Sequence, residues 1–341
     1  MRSPINMLAA TSLGFAAACA TIPVSGDPAV PVYAVAETEP VGTTNEDAAD
    51  DPAIWHNAAD PSASLIVGTD KKGGLYVYGL DGKVKHFTAR PALNNVDLVD
   101  MGEHGVIVFA SDRYDLAAAR IALFKLDTVT GELGELDTLR SADGEAYGIC
   151  GWERHGKLIV YTAPKEGNVG EWEITLGREN TIRRLRTMQV PSQPEGCAID
   201  PRNGTLYIGE EGGGVWRFTA GSTAGELVAK VDNKHLVADL EGLALVPEGA
   251  DGGWLYASSQ GDNTYMRYSL PDMMPAGRFR IASGAFGSTE ETDGIEAKRG
   301  DFGSAFPGGL FIAQDGVNEG GAQNFKLVPL GAIEDALADL K

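Results

Sequence analysis

Short runs of β-branched and aromatic residues recur along the chain: Leu65-Ile66-Val67-Gly68, Leu75-Tyr76-Val77-Tyr78, Val106-Ile107-Val108-Phe109, Ile121-Ala122-Leu123-Phe124 and Leu158-Ile159-Val160-Tyr161. The second half continues with Leu206-Tyr207-Ile208, Val215-Trp216-Arg217-Phe218, Leu255-Tyr256-Ala257, Tyr265-Met266-Arg267-Tyr268, Leu310-Phe311-Ile312-Ala313 and Phe325-Lys326-Leu327-Val328. Such runs predict strands. Leu80-Asp81-Gly82-Lys83, Thr130-Gly131, Arg202-Asn203-Gly204 and Asp251-Gly252-Gly253 lie between them and supply residues that tolerate positive φ, as tight turns require. One convincing helical period runs from Gly331 to Leu340, with Ile333, Leu337 and Leu340 on one face.

The strands fall into a repeat. Six stretches open alike, with a carboxylate or tyrosine followed by glycine or other small or apolar residues, at Asp51, Asp97, Tyr147, Glu195, Glu241 and Asp293. Their spacings are 46, 50, 48, 46 and 52 residues. That period in strand-rich sequence predicts an all-β, six-bladed β-propeller, because one small sheet cannot bury both faces and must stack against neighbours. The propeller is expected to occupy residues 45–341 as one domain, with a segment near Tyr33 to Val41 closing the ring against the last blade. If each opener sits on the innermost strand, five carboxylates converge on the central channel as a cation site.

Composition narrows the partners. With 28 Lys and Arg against 48 Asp and Glu, the net charge is −20, which speaks against a nucleic acid or an anionic membrane surface. Residues 1–20 carry Arg2 and then an apolar run ending in Phe15-Ala16-Ala17-Ala18-Cys19, and read as an export signal. The protein is expected to be secreted, periplasmic or an outer-membrane lipoprotein. Cys19 resembles a lipoprotein cleavage site with Ala16 in place of the usual leucine, so a lipid anchor there stands beside ordinary cleavage after an Ala-x-Ala site. Residues 21–44, rich in Pro, Ala and Val, read as a tether. Beyond the leader only Cys150 and Cys197 remain, which allows either a disulfide or two buried thiols.

Charge is patterned by blade. Lys71, Arg113 and Lys165 follow the second strand of three successive blades and should meet on one face. Acidic groups gather at Asp50-Asp51, Asp97, Glu195, Glu210-Glu211, Asp239-Glu241, Glu290-Glu291-Asp293-Glu296 and Asp315. Bases beside a carboxylate-lined channel suit phosphate-ester chemistry: carboxylates hold hard cations such as Ca²⁺, while Lys and Arg bind phosphoryl oxygens.

Several motifs occur in a fixed order from about residue 47 to 330. They are Asp50-Asp51-Pro52-Ala53-Ile54-Trp55, Thr69-Asp70-Lys71-Lys72-Gly73-Gly74-Leu75, Leu93-Asn94-Asn95-Val96-Asp97, Glu195-Gly196, Leu206-Tyr207-Ile208-Gly209-Glu210-Glu211, Ala257-Ser258-Ser259-Gln260-Gly261, Thr292-Asp293-Gly294-Ile295, Ala313-Gln314-Asp315-Gly316 and Gln323-Asn324-Phe325-Lys326. This set resembles that of the β-propeller phytases. The resemblance implies a calcium-dependent phosphoric monoester hydrolase of the 3-phytase type, acting on phytate as a monomer with several Ca²⁺ ions. It implies that a calcium-bound water attacks phosphorus without a covalent intermediate. Carried over by motif, Lys71, Arg113, Tyr147 and Lys165 would contact phosphate. Asp51, Asp97, Glu195, Glu211, Asp239, Glu241, Asp293 and Asp315 would bind calcium or orient its water, with Glu211 among the catalytic groups.

The chain departs from the family pattern in places. Gly212-Gly213-Gly214 stands where further acids are usual, Asp70 and Asp112 replace asparagines before Lys71 and Arg113, and the loop 316–322 is short. Arg154-His155-Gly156 resembles the start of a histidine acid phosphatase motif, but Lys157-Leu158-Ile159-Val160 follows, so it reads as a hairpin turn. The competing functions are a calcium-containing six-bladed lactonase or arylesterase, and a non-catalytic binding propeller. The lactonases and arylesterases do not need Lys71, Arg113 and Lys165 on one face.

Overall fold

The computed structural model describes residues 24–339, which form six sheets arranged as the blades of a closed ring. Blade one runs from axis to rim as Ala49–Trp55, Leu65–Asp70, Gly74–Gly79 and Val84–Ala89, each strand antiparallel to the next. Its two middle strands are buried along their whole length, whereas the rim strand alternates between half-buried and exposed positions. Neighbouring blades cover both faces of the middle strands, so their sequences are unbroken apolar runs. Between blades one and two, for instance, Val67 and Val77 pack with Val96, Val108 and Phe124. Burying one such side chain contributes about 1.5–3 kcal/mol.

The first strands of the blades are Ala49–Trp55, Leu93–Asp100, Gly148–Arg154, Pro194–Asp200, Leu240–Glu248 and Ile295–Arg299. They touch one another in order round the axis, and the sixth touches the first. Each opener therefore lies on or next to an innermost strand.

Residues 30–37, within the stretch read as a tether, belong to the ring. Ala36–Glu37 pairs antiparallel with Asn324–Pro329 and completes blade six, inside the segment expected to close the ring. Val30–Val32 adds a fifth, parallel strand to blade five beside Met274–Ile281, which the sequence did not suggest. The leader over residues 1–20, with Cys19, lies outside the described residues. The helix Leu330–Ala338 buries Leu330, Ile333 and Leu337 against blades five and six. Arg154 pairs with Lys157, and positive φ at both His155 and Gly156 makes the expected hairpin turn. Cys150 and Cys197 form a disulfide between the innermost strands of blades three and four.

Candidate functional site on one face of the ring

One backbone hydrogen bond recurs in every blade and fixes the site. The residue just past the second strand donates its N–H to a carbonyl beside the start of the first strand. The pairs are Lys71 to Ala48 (2.7 Å), Arg113 to Ala92 (2.9 Å), Lys165 to Glu145 (3.1 Å), Glu211 to Gln193 (3.0 Å), Gln260 to Asp239 (3.0 Å) and Gly316 to Glu290 (2.8 Å). Two residues beyond the acceptor, or three in blade six, come Asp50, Asn94, Tyr147, Glu195, Glu241 and Asp293. The fold thus sets two six-membered series on one face, one lining the axis and one behind it.

This register differs from the expected one in two blades. Neighbouring residues of a strand point to opposite sides, so a one-residue slip changes which side chain faces the site. In blade one Asp50 meets the other site residues, while the Asp51 carboxylate accepts the Val96 N–H at 3.1 Å. In blade two the equivalent residue is Asn94, whose amide donates to Glu195 at 3.2 Å and to Asp50 at 3.4 Å. Asp97 instead accepts the N–H groups of Leu98 and Gly151 at 2.6 and 2.8 Å. Asp51 and Asp97 wall the channel itself, a cavity of about 510 Å³ that Glu296 and Lys298 also line.

Glycine follows the axial residue in blades three to six for a steric reason. A β-carbon on Gly196 would lie 2.3 Å from the Glu241 carbonyl oxygen. Gly148, Gly242 and Gly294 approach the carbonyls of Glu195, Asp293 and Asp50 in the same way. Absent side chains let the axial residues of adjacent blades converge.

Charge divides the face. On blades one to three, the Lys71 ammonium lies 2.8 Å from both Asp50 and Asp47 and 3.2 Å from Asp293. Glu145, not singled out from sequence, holds Arg113 at 3.2 Å and Lys165 at 3.3 Å. The Lys165 ammonium also stands 4.4 Å from the centre of the Tyr147 ring. On blades four and five, one carboxylate oxygen each of Glu195, Glu211 and Glu241 lies within 4.8 Å of the others. Gln193 donates to Glu211 at 2.5 Å, and Gln260 donates to Asp293 at 2.7 Å. Gln260 occupies in blade five the place of Lys71 and Arg113, so extending that series by two blades would have found it. Burial, and to a lesser extent the charge of exposed Asp239, raises the pKa of Glu211.

Two departures from the family pattern are accommodated locally. Asp112 is fully buried between Arg90 at 2.7 Å and Arg120 at 3.0 Å, and Asp70 accepts the turn N–H groups of Lys72 and Gly73. The Glu210 carboxylate accepts hydrogen bonds from the Ser192 hydroxyl and the Trp216 indole, and Asp315 is engaged by Lys326 at 3.2 Å. Neither Glu210 nor Asp315 joins the three-glutamate group.

Burial, then a neighbouring carboxylate charge (Asp50 for Glu195 and Asp293, Glu195 for Glu241), holds the pKa values of Glu195, Glu241 and Asp293 above the ordinary carboxylate range. Burial, followed by Glu195, Asp50, Glu241 and Glu211, pushes the Tyr147 hydroxyl up, so it stays protonated. Glu241 Oε2 is buried without a hydrogen-bond partner among the described residues. Crowded, buried oxygen donors with one left unsatisfied fit a hard divalent cation.

The channel carboxylates give a test of pH dependence. Burial pushes Asp97 up to about 6, and burial followed by the Asp97 charge pushes Glu296 up to about 8. Both folded values exceed unfolded values of about 4, so the folded ring binds these protons more tightly than the unfolded chain. Their contribution to stability is complete below about pH 4 and is lost as pH rises through about 6 and then about 8. The metal-free protein should therefore melt at lower temperature as pH is raised across that window, and Asp97→Asn with Glu296→Gln should flatten the profile. An unaltered profile in the double variant would show that these two groups do not set it.

The family model "Phytase" matches residues 4–341. The chain is 34% identical to a 3-phytase of Bacillus subtilis (strain 168), an alignment that covers 100% of this chain and 95% of that protein. Among solved structures, the PQQ-bound aldose sugar dehydrogenase of Streptomyces coelicolor superposes with a TM-score of 0.54 at 12% identity, covering 88% of this chain and 97% of that one. A chain of the mitotic checkpoint complex gives a TM-score of 0.55 at 11% identity, covering 95% and 99%. These distant structures share the fold alone. Family match and near full-length relative agree, and the chain belongs to the phytase family.

Proposed function

We propose that this chain is a calcium-dependent phosphoric monoester hydrolase of the 3-phytase type, releasing phosphate from phytate. The observation that carries the proposal is the divided face. Lys71, Arg113 and Lys165 stand on blades one to three, against the Glu195, Glu211 and Glu241 carboxylates on blades four and five. Phytate and this protein are both strongly anionic, so the carboxylate half repels the substrate unless cations intervene.

Glu195, Glu211 and Glu241 would hold calcium, which when bound would supply the positive charge that half lacks and make water more acidic. The three bases bind phosphoryl oxygens and stabilise the charge that builds on them. Protonated Tyr147 donates a hydrogen bond to the phosphate. Glu145 keeps Arg113 and Lys165 extended toward the same point. Glu211, half-buried and restrained by Gln193, takes the proton of the attacking water.

Phosphate release from phytate, with and without excess chelator, tests the function. Release that stops on chelation and returns with calcium is expected, whereas full activity in chelator overturns the cation role. Glu211→Gln changes one charge and little shape. It should lower turnover about 10²–10⁴-fold with the fold retained, and an unchanged rate removes Glu211 from the chemistry.

A further inference from the structure

Braces in the channel wall join the innermost strands of successive blades. Between blades one and two the Asp51 carboxylate accepts the Val96 N–H, and between blades two and three the Asp97 carboxylate accepts the Gly151 N–H. Between blades three and four the Cys150–Cys197 disulfide makes the connection covalently, with the α-carbons 5.5 Å apart. That junction is also the seam of the site. Blade three carries Tyr147 and Lys165, the last of the phosphate-binding half, and blade four carries Glu195 and Glu211, the first of the carboxylate half.

Cys150 lies three residues after Tyr147, and Cys197 two residues after Glu195. Over this short extended stretch the two strands are in backbone contact, since a β-carbon on Gly148 would lie 2.1 Å from the Glu195 carbonyl oxygen. The lateral spacing of the strands is therefore the spacing of Tyr147 from Glu195. Asn94 adds to the demand for accuracy, because it reaches Glu195 from blade two.

We propose that the Cys150–Cys197 disulfide positions the site: it fixes Tyr147 against Glu195 across the seam and thereby sets cation and substrate affinity. This rests on the function proposed above. The cysteines touch neither substrate nor cation; they act through the two strand ends.

The test compares wild type with Cys150→Ala/Cys197→Ala, using calcium titration by calorimetry, KM and kcat for phytate, and melting at saturating calcium. Val328→Ala, a cavity variant packed in the cluster of blades five and six, supplies a protein weakened away from the seam. The double variant should bind calcium about tenfold more weakly, with raised KM and a cooperative melt, as loss of a support behind metal ligands does. Val328→Ala should leave calcium affinity and KM unchanged. If the double variant does not fold, wild-type protein reduced after folding takes its place, with free thiols counted. Unchanged calcium affinity and KM in the disulfide-free protein overturn the positioning role and leave only a structural staple. A wild type that binds no calcium and releases no phosphate overturns the proposed function, and the positioning role with it.

Discussion

Replacing Lys71 with alanine is expected to lower kcat/KM for phytate about 10²–10³-fold and to destabilise the calcium-free ring at the same time. The first effect follows from removing one preorganised donor aimed at the developing charge, worth about 2.7–4 kcal/mol. The second follows from what Lys71 touches. Its ammonium lies between Asp50, which is 1% exposed, and Asp293, which is 15% exposed. Breaking a buried pair from one side leaves an uncompensated charge and costs about 3–5 kcal/mol. Asp47 is 70% exposed, so its pairing contributes little. Calcium should restore part of the melting temperature, because a cation can take up the charge that the ammonium balanced. Phosphate-release kinetics and melting curves with and without calcium check both effects. A normal kcat/KM would remove Lys71 from the phosphate site, and unchanged calcium-free melting would show that its ion pairs are not needed for the ring.

The second large effect comes from a single methyl group. Gly196→Ala places a β-carbon 2.3 Å from the Glu241 carbonyl and 2.8 Å from the Leu243 side chain. The carbonyl belongs to the neighbouring innermost strand and can yield only if that strand moves. Overpacking of this kind costs about 1–3 kcal/mol. Because the moving strand carries Glu241, calcium affinity should fall as well. Gly212→Ala, adjacent to Glu211, is the control: nothing lies within 4 Å of its β-carbon, so it should leave stability and calcium affinity nearly unchanged. Equal melting temperatures and calcium affinities for the two variants would refute the close approach as the reason for glycine in the opening motif.

The blades were legible from sequence because middle strands are covered on both sides and appear as unbroken apolar runs, with turn residues between. The three bases proposed to bind phosphate were legible because Lys71, Arg113 and Lys165 repeat at one structural position. The axial series was only partly legible. Asp50 and Asp51 are adjacent carboxylates, and composition cannot say which faces the axis; the backbone pairing decides it. In blade two the acidic Asp97 is the more conspicuous residue by chemistry, whereas the axial position is held by Asn94, which reaches its partners through an amide. Glu145, Gln193 and Gln260 orient charged groups held by distant strands. Glu145 bridges blades two and three, and Gln260 reaches from blade five to Asp293 at the start of blade six. Such contacts leave no local pattern in the chain.

The closing strand imposes an order of events on synthesis. Val30–Val32 and Ala36–Glu37 leave the ribosome before any complete blade, yet their partners lie in the last two blades. Glu37 and Lys326, which join across the closure, are 289 residues apart. The earliest strands must wait unpaired while the rest of the chain is made, and a nascent ring lacking its last segment is an open arc with free edges. Contacts of such long range slow folding and prolong exposure of unpaired strands. For this protein the step that completes the ring must follow translation of nearly the whole chain.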